Sequence, residues 1–227
     1  MIIMYYIGSD IMRLRKKAWA RPLLDDYTNR VVITKLDFLT NPIKDVFTNN
    51  NPLVLEIGTG KGDFITNMAI NNPNMNFIGI EQNETILAIA LKKVIDLGLT
   101  NVKLIRVNAN EMLNIFDTKE IDVIRLNFSD PWPKSRHEDR RLTSPEFLHM
   151  YFNILNDDGY IAFKTDNREF FDYSVESFKE NNWVVDDISY NYPLTNNEFD
   201  VPTEYERKFR ALGTPINFIK VRKELKK

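Results

Sequence analysis

The stretch LEIGTGKGDF has residue types and a spacing that could do chemistry on a bound cofactor. Glu56 is followed by Gly58, Gly60 and Gly62, and glycines let a backbone turn sharply and approach a ligand. A dinucleotide fingerprint would need glycine or alanine where Asp63 stands, and the stretch also departs from the phosphate-binding loop. An acid directly before the glycines would repel a pyrophosphate and attract a cation, so a phosphate cradle is poorly supported.

A second stretch, SDPWPKSRHEDRR, places an acid in front of a cluster of cations. Asp130 precedes Pro131 and Pro133, and prolines fix φ and remove N–H donors, so we expect a rigid acidic loop. Trp132 could stack on a base or pack beneath the loop, and tryptophan is usually a packing residue. The residues of this stretch that could contact phosphates are Lys134, Arg136, His137, Arg140 and Arg141.

Polar residues recur where successive predicted strands end. Ligands of open α/β sheets bind at the carboxyl ends of the strands, so we expect these residues to line one rim. An alternative is that the acids cap the following helices, which could hold for one or two of them. The five residues are Glu56, Glu81, Asn108, Asp130 and Asp166.

The elements that must position these residues follow from the apolar pattern. From about residue 53, short apolar runs alternate with stretches that have apolar residues at helical spacing. Strands that alternate with helices predict right-handed crossovers and a doubly wound, mostly parallel, Rossmann-like sheet with helices on both faces. We expect about seven strands, of which 183–191 and 215–223 form a C-terminal antiparallel pair, with a loop and a short helix between them.

The composition limits which classes of protein this can be. With 227 residues, 43% of them hydrophobic and 27% charged, the chain can form one sizeable core. It has no cysteine and only two histidines, so we predict no disulfide and no metal site. The absence of cysteine is compatible with a reducing cytoplasm, where we expect the protein to be located. The apolar start MIIMYYIG is too short to span a membrane, and no membrane partner is expected.

The distribution of charge is uneven, although the formal net charge is only −2. Residues 12–21 carry cations and no acid, and local basic patches on an acidic body can attract a polyanion. Solvated charge runs are the competing interpretation. We divide the chain into a basic, partly flexible N-terminal segment at 1–35 and a single domain at 36–227.

Taken together, the acid before the glycines and the acid that ends the next strand resemble the Rossmann-like S-adenosylmethionine-dependent methyltransferases. The resemblance becomes specific in SDPWPKSRHEDRR, in KTDN (164–167), in TEYE (203–206) and in RLRKKAW, which begins at Arg13. These motifs are similar to those of the bacterial tRNA (guanine-N7-)-methyltransferase family, and the similarity covers almost everything from Met12 onward. It implies transfer of a methyl group from S-adenosylmethionine to N7 of a guanosine in the tRNA variable loop.

The resemblance also implies roles for individual residues. The cofactor site would be lined by Glu56, Gly58, Gly60, Glu81, Asn108 and Asp130. The substrate would be contacted by Lys134, Asp166, Thr203, Glu204, Tyr205 and Glu206. The RNA would be contacted by Arg136, His137, Arg140, Arg141, Arg13, Arg15, Lys16 and Lys17. The sequence departs from the family where Asn108 replaces a frequent acid, and where Glu138 and Asp139 stand in the basic stretch.

N7 of guanine carries a lone pair and no proton, so its methylation needs orientation and no general base. The product is cationic, and we predict that Asp130 stabilises it as the catalytic carboxylate, with Asp166 as the second candidate. Asp166 could instead cap the helix that follows it, and Thr203 with Glu206 could form a capping box. One alternative function is methylation of an exocyclic amine on nucleic acid or protein. Another is noncatalytic RNA binding, and both a monomer and a homodimer are compatible with the sequence.

Overall fold

The computed structural model describes residues 16–33 and 46–225. Their strands form one sheet, and their helices pack against it. The strands are β1 Val32–Ile33, β2 Leu53–Ile57, β3 Asn76–Ile80, β4 Val102–Ile105, β5 Ile121–Asn127, β6 Leu155–Thr165, β7 Trp183–Ser189 and β8 Asn217–Lys223. The α-helices are α1 Ala20–Asp26, α2 Asp63–Asn71, α3 Glu84–Asp96, α4 Pro145–Ile154, α5 Arg168–Glu180 and α6 Glu204–Ala211. Two 3-10 helices that lie wholly within the described residues span Ala109–Asn114 and Ser135–Arg140.

The sheet has the strand order β1-β4-β3-β2-β5-β6-β8-β7. The strands from β1 to β6 are parallel, whereas β8 is antiparallel to both β6 and β7. The doubly wound sheet with its C-terminal antiparallel pair is therefore confirmed. Within the described residues the sheet has eight strands instead of about seven, because Val32–Ile33 pairs with β4. A strand of only two residues is too short to show an apolar pattern in the sequence. The chain order reverses between β2 and β5, which makes their carboxyl ends the expected ligand site.

The sheet is buried on both faces, as central parallel strands require. All five residues of β2 are buried, and its side chains alternate between two apolar layers. Val54 packs with α2 and α3 on one face, and Leu55 packs with α4 and α5 on the other. The continuous apolar runs of β2 and β3 thus reflect cover on both sides.

One part of the sheet has a different cover. On the face of α2, residues 191–203 lie over β5 and β6: Val201 joins the apolar layer, and Arg125 donates to the carbonyl of Phe199. Asn72 at the end of α2 donates to the carbonyl of Glu198 at 2.9 Å. We call residues 191–203 the covering segment, and it leads directly into α6.

The described part of the N-terminal segment is attached to the sheet domain. Helix α1 packs on α3, and the backbone N–H of Lys17 donates to Oγ1 of Thr85 at 3.1 Å. Glu84 at the start of α3 forms ion pairs with Lys16 and Arg106 at 3.5 and 2.9 Å. Within residues 16–33 and 46–225, no helix combines the length and apolar character needed to cross a bilayer.

Candidate active site

The glycine turn after β2 opens towards the carboxyl edge of the sheet. Gly58 and Gly60 have φ of 77° and 55°, a left-handed conformation that residues with a side chain rarely adopt. A Cβ at Gly58 would meet no atom within 4 Å, so the space above this part of the turn is open. Gly62 must lack a side chain for a different reason, because a Cβ there would lie only 2.9 Å from the Cβ of Ala90 on α3. The turn therefore leaves room for a ligand on one side and packs tightly on the other.

Glu56 lies beneath this turn and is only 3% exposed. Oε2 accepts a hydrogen bond from Oγ1 of Thr59 at 2.6 Å, and Oε1 accepts one from Nδ2 of Asn127 at 3.0 Å. Burial raises the pKa of Glu56 to about 7, although these hydrogen bonds and the charge of Lys164 oppose the rise. Both oxygens thus tie the turn to the end of β5, and sequence reasoning missed Asn127 as the partner.

Glu81 follows β3 and lies beside the glycine turn. Its Oε1 accepts a hydrogen bond from the N–H of Asn83 at 2.8 Å. Burial raises the pKa of Glu81, the backbone N–H groups of Asn83 and Gly60 oppose the rise, and the charge of Asp130 adds to it. The structure therefore brings Gly60, Glu81 and Asp130 together, as expected for one rim.

Asn108 lies at the same edge, after β4, and is exposed. Its Oδ1 accepts a hydrogen bond from the N–H of Asn110, which caps the first 3-10 helix, at 3.0 Å. Its Nδ2 is 3.4 Å from Oε1 of Gln82, so the amide also reaches the loop after β3.

Asp130 lies on a loop with an unusual backbone. Phe128 and Trp132 have φ of 53° and 42°, values that bulky side chains rarely adopt and that store backbone strain. Within the described part of the chain, no group donates a hydrogen bond to the exposed carboxylate of Asp130. Partial burial raises the pKa of Asp130. The loop thus presents an acid that has no donor of its own.

Asp166 follows β6, the strand next to β5, and so lies at the same edge as the Asp130 loop. The helix-capping interpretation of Asp166 is wrong. The N-cap of α5 is Asn167, whose Oδ1 accepts from the N–H of Phe170 at 2.8 Å. Burial raises the pKa of the half-buried Asp166 carboxyl.

The cations behind Asp130 form the second 3-10 helix and its approach. Lys134, Arg136 and Arg140 are exposed. His137 packs edge-on against Trp132 with ring centroids 5.8 Å apart, and the guanidinium of Arg140 lies 5.0 Å from the Trp132 ring centroid. Partial removal from solvent lowers the pKa of His137, and the positive charges of Arg140 and Arg136 lower it further. The ring of Trp132 is therefore packed by the loop's own side chains.

Arg141 differs from these cations because it is half-buried and its guanidinium has internal partners. Nε donates to the carbonyl of Pro131 at 3.1 Å, and Nη2 donates to that of Trp132 at 3.2 Å. The guanidinium also lies 4.2 Å from the ring centroid of Tyr173. In this arrangement Arg141 holds the Asp130 loop through two of its five N–H donors.

The motif at 203–206 begins α6. Oγ1 of Thr203 accepts from the N–H of Glu206 at 2.9 Å and so caps the helix. Glu206 is 0% exposed, and its oxygens bind Lys164 at 2.8 Å and Arg210 at 2.7 Å. The Thr203 half of the capping box is present, but the Glu206 carboxylate is used in buried ion pairs and has no surface to offer a substrate.

The middle of the same motif faces outward. Tyr205 is 58% exposed, and Glu204 forms a 3.0 Å ion pair with Lys61 of the glycine turn. This pair brings the start of α6 next to the turn. The N-terminal cations Lys16 and Lys17 are exposed beside the start of α3, whereas Arg13 and Arg15 lie outside the described residues.

Comparison with known proteins agrees with this arrangement. The family model described as "Putative methyltransferase" matches residues 50–219. The tRNA (guanine-N(7)-)-methyltransferase of Bacillus licheniformis is 45% identical over 208 residues, which cover 90% of this chain and 96% of that protein. That of Geobacillus sp. is 47% identical over 205 residues, covering 90% and 93%.

A solved structure of a SAM dependent methyltransferase from Aquifex aeolicus shares the fold. It has a TM-score of 0.53 and 14% identity, and the match covers 89% of this chain and 96% of that one. The two relatives above, by contrast, are similar in sequence along nearly their whole length. The chain therefore belongs to the tRNA (guanine-N(7)-)-methyltransferase family.

Proposed function

We propose that this protein transfers the methyl group of S-adenosylmethionine to N7 of a guanosine in the variable loop of tRNA. The observation that carries the proposal is the position of Asp130, an acid without a donor on a strained loop, beside Glu81 and the glycine turn. Family membership supports the reaction class, since the relatives named above are tRNA (guanine-N(7)-)-methyltransferases.

The residues of the rim fit S-adenosylmethionine. The space above Gly58 is open, and Glu81 and Asp130 are neighbouring acids with raised pKa values that would gain from hydrogen-bond donors or a positive charge. Buried Oδ1 of Asn127 and Oγ of Ser129 have no hydrogen-bond partner within the described residues. When bound, the cofactor supplies an electrophilic methyl group on its sulfonium. We assign Glu81 to its ribose hydroxyls, Asn108 to its adenine edge, and Glu56 to supporting the turn from below.

The chemistry at N7 places few demands on the protein. The lone pair of N7 needs no general base, so the rim must orient the base and stabilise the charge that develops on it. The Asp130 carboxylate can accept hydrogen bonds from N1–H and the exocyclic amine of the methylated guanine. Asp166 at the end of the neighbouring strand is the second candidate for this role.

The exposed cations would bind tRNA through its phosphates, which fixes position without reading sequence. We assign this role to Lys134, Arg136, Arg140, Lys16 and Lys17, and also to Arg13 and Arg15, which lie outside the described residues. His137 would contact the RNA through its imidazole and not as a fixed positive charge, because its pKa is lowered. Arg141 would support the Asp130 loop. On α6, Glu204 and the exposed Tyr205 would face the tRNA, and Thr203 and Glu206 would hold the helix in place.

The proposal is tested by incubating the purified protein with unmodified tRNA transcript and labelled S-adenosylmethionine, followed by nucleoside analysis. We expect 7-methylguanosine, and we expect it to disappear when the variable-loop guanosine is replaced. A methylated exocyclic amine would point to the alternative enzyme class. The absence of any methylated nucleoside, from protein that binds the cofactor, would contradict the tRNA assignment.

A further inference from the structure

The KTDN motif contains a lysine to which the proposed chemistry gives no role. Lys164 lies in β6 and is 1% exposed, although it precedes the rim by only two residues. A buried ammonium is strongly disfavoured unless acids pair with it and its donors are satisfied. The partners of Lys164 therefore indicate what the lysine holds in place.

The ammonium connects β6 to two other parts of the chain. Nζ lies 2.9 Å from Oδ2 of Asp200 and 3.4 Å from the carbonyl of Val201, both in the covering segment. It lies 2.8 Å from Oε2 of Glu206 in α6. An ammonium has three N–H donors, so these contacts use its full capacity.

Neighbouring charges extend this cluster towards the glycine turn. Arg125 lies 3.6 Å from Asp200, and Arg210 lies 2.7 Å from Glu206. Glu56 beneath the turn is stabilised in its charged form by the lysine and by Arg125. Lys164, Arg125 and Arg210 thus face Asp200 and Glu206, and the charges of Lys164 and Arg125 act as far as Glu56 at the floor of the glycine turn.

The backbone of the same residue holds the start of the Asp130 loop. Lys164 pairs with Asn127 in the sheet, and its carbonyl accepts from the N–H of Phe128 at 2.8 Å. Phe128 is one of the two strained residues of that loop. Lys164 thus contacts the acidic loop through its backbone and α6 through its side chain.

We propose that Lys164 is a positioning residue, which fixes α6 and its outward-facing Glu204 and Tyr205 relative to the glycine turn and the Asp130 loop. This inference rests on the proposed function, because it assigns these two residues to the tRNA side of the site. Its consequence is selective. Loss of the ammonium leaves the acids of the covering segment and α6 facing each other, while the glycine turn retains Thr59 and Asn127.

The test compares Lys164→Met with Lys164→Arg, and with Lys220→Met as a matched control. Lys220 is a half-buried strand lysine whose Nζ lies 4.2 Å from the Tyr160 ring centroid. The Arg125 guanidinium also faces this ring, but within the described residues Lys220 forms no ion pair with Asp200 or Glu206. S-adenosylhomocysteine binding measured by calorimetry without tRNA gives both cofactor affinity and the fraction of folded sites. Steady-state kinetics with tRNA then give kcat and KM per folded site.

For Lys164→Met we expect cofactor affinity close to that of the wild type, a raised KM for tRNA, and kcat/KM lowered by about tenfold or more. Lys164→Arg should recover part of the loss, and Lys220→Met should show none. If the activity of Lys164→Met falls only in proportion to its fraction of folded sites, and its KM for tRNA is unchanged, the proposal is overturned. If Lys164→Met does not fold, Asp200→Asn removes one partner of the ammonium and should produce the same split at smaller size, and an unchanged KM would again count against it.

A failure of the proposed function gives a different pattern. If the wild type binds S-adenosylhomocysteine but methylates no tRNA, hydrogen exchange of the cofactor-bound proteins still decides the role of Lys164. Faster exchange in Lys164→Met confined to 191–211 supports positioning of α6, whereas a uniform increase overturns it. A wild type that binds no S-adenosylhomocysteine overturns both proposals.

Discussion

Two carboxyl groups near the rim, those of Glu56 and Asp130, have different roles in the structure. Glu56 is buried, and each of its oxygens already accepts a hydrogen bond from the protein. Asp130 has no donor among the described residues and lies on a loop held by Arg141. Burial raises the pKa of both carboxyls, but only Asp130 can offer its oxygens to a ligand without breaking an internal contact.

Replacing Asp130 with asparagine should therefore affect turnover directly. With tRNA and cofactor both saturating, we expect Asp130→Asn to lower kcat by about 10²- to 10³-fold, the usual loss when one group that stabilises developing charge is removed. Asp139→Asn is the control, because Asp139 is an exposed acid in the same stretch. Initial rates of labelled methyl transfer measure both variants, and near-normal kcat in Asp130→Asn would transfer the role to Asp166.

The buried carboxyl of Glu56 should make stability depend on pH. Its folded pKa is raised from 4.5 to about 7, so the fold favours the neutral form. The resulting stabilisation is complete below the unfolded pKa and is lost as the pH rises through about 7. Without cofactor, we expect Glu56→Gln to gain stability relative to the wild type between pH 5 and pH 8, by roughly 3 kcal/mol at most.

Free energies of unfolding from urea titrations at several pH values measure this difference. The amide of glutamine changes the hydrogen bond with Asn127 at every pH, so the change with pH is informative and the absolute offset is not. A difference between the two proteins that stays constant from pH 5 to pH 8 would show that Glu56 titrates normally in the fold.

At the scale of elements, the sequence predicts what local pattern determines. The strands and helices from β2 to α5 follow apolar runs and helical spacing, and the loop and short helix between β7 and β8 are found where expected. The rim is predictable too, because parallel strands bring their carboxyl ends to one edge. Strand β1 is not predictable, since two residues acquire strand structure only by pairing with β4.

The cluster around Lys164 could not be derived from local pattern. Its ion pairs join residues 36 and 42 positions apart, and nothing in the covering segment distinguishes Asp200 from other loop acids. A signal was nevertheless present, because Arg125 directly follows the apolar residues Val123 and Ile124 in β5, and Lys164 directly follows the apolar run 161–163 in β6. A charge in such a strand predicts a buried partner, but only the fold identifies that partner.

At the scale of the whole molecule, two patches of exposed cations lie at the carboxyl edge of the sheet, Lys16 with Lys17 and Lys134 with Arg136 and Arg140. The formal net charge is −2, so attraction to a polyanion must come from local patches. Lys16 and Lys17 lie beside the start of α3, and the second 3-10 helix follows the Asp130 loop. Both patches therefore border the carboxyl edge of the sheet, where the proposed methyl transfer takes place.

This distribution predicts how salt should affect tRNA binding. Each phosphate contact contributes about 0.7 to 0.9 to the slope of log Kd against log salt concentration, so Arg140→Gln should reduce the slope by about that amount. Arg141→Gln should lower kcat and leave the slope unchanged, because its guanidinium binds the carbonyls of Pro131 and Trp132. Lys179→Gln, at the far end of α5, serves as a control that should change neither kcat nor the salt slope.

Fluorescence titrations with labelled tRNA at several salt concentrations measure the slopes. Equal slopes for the wild type and the three variants would mean that the phosphates are bound elsewhere.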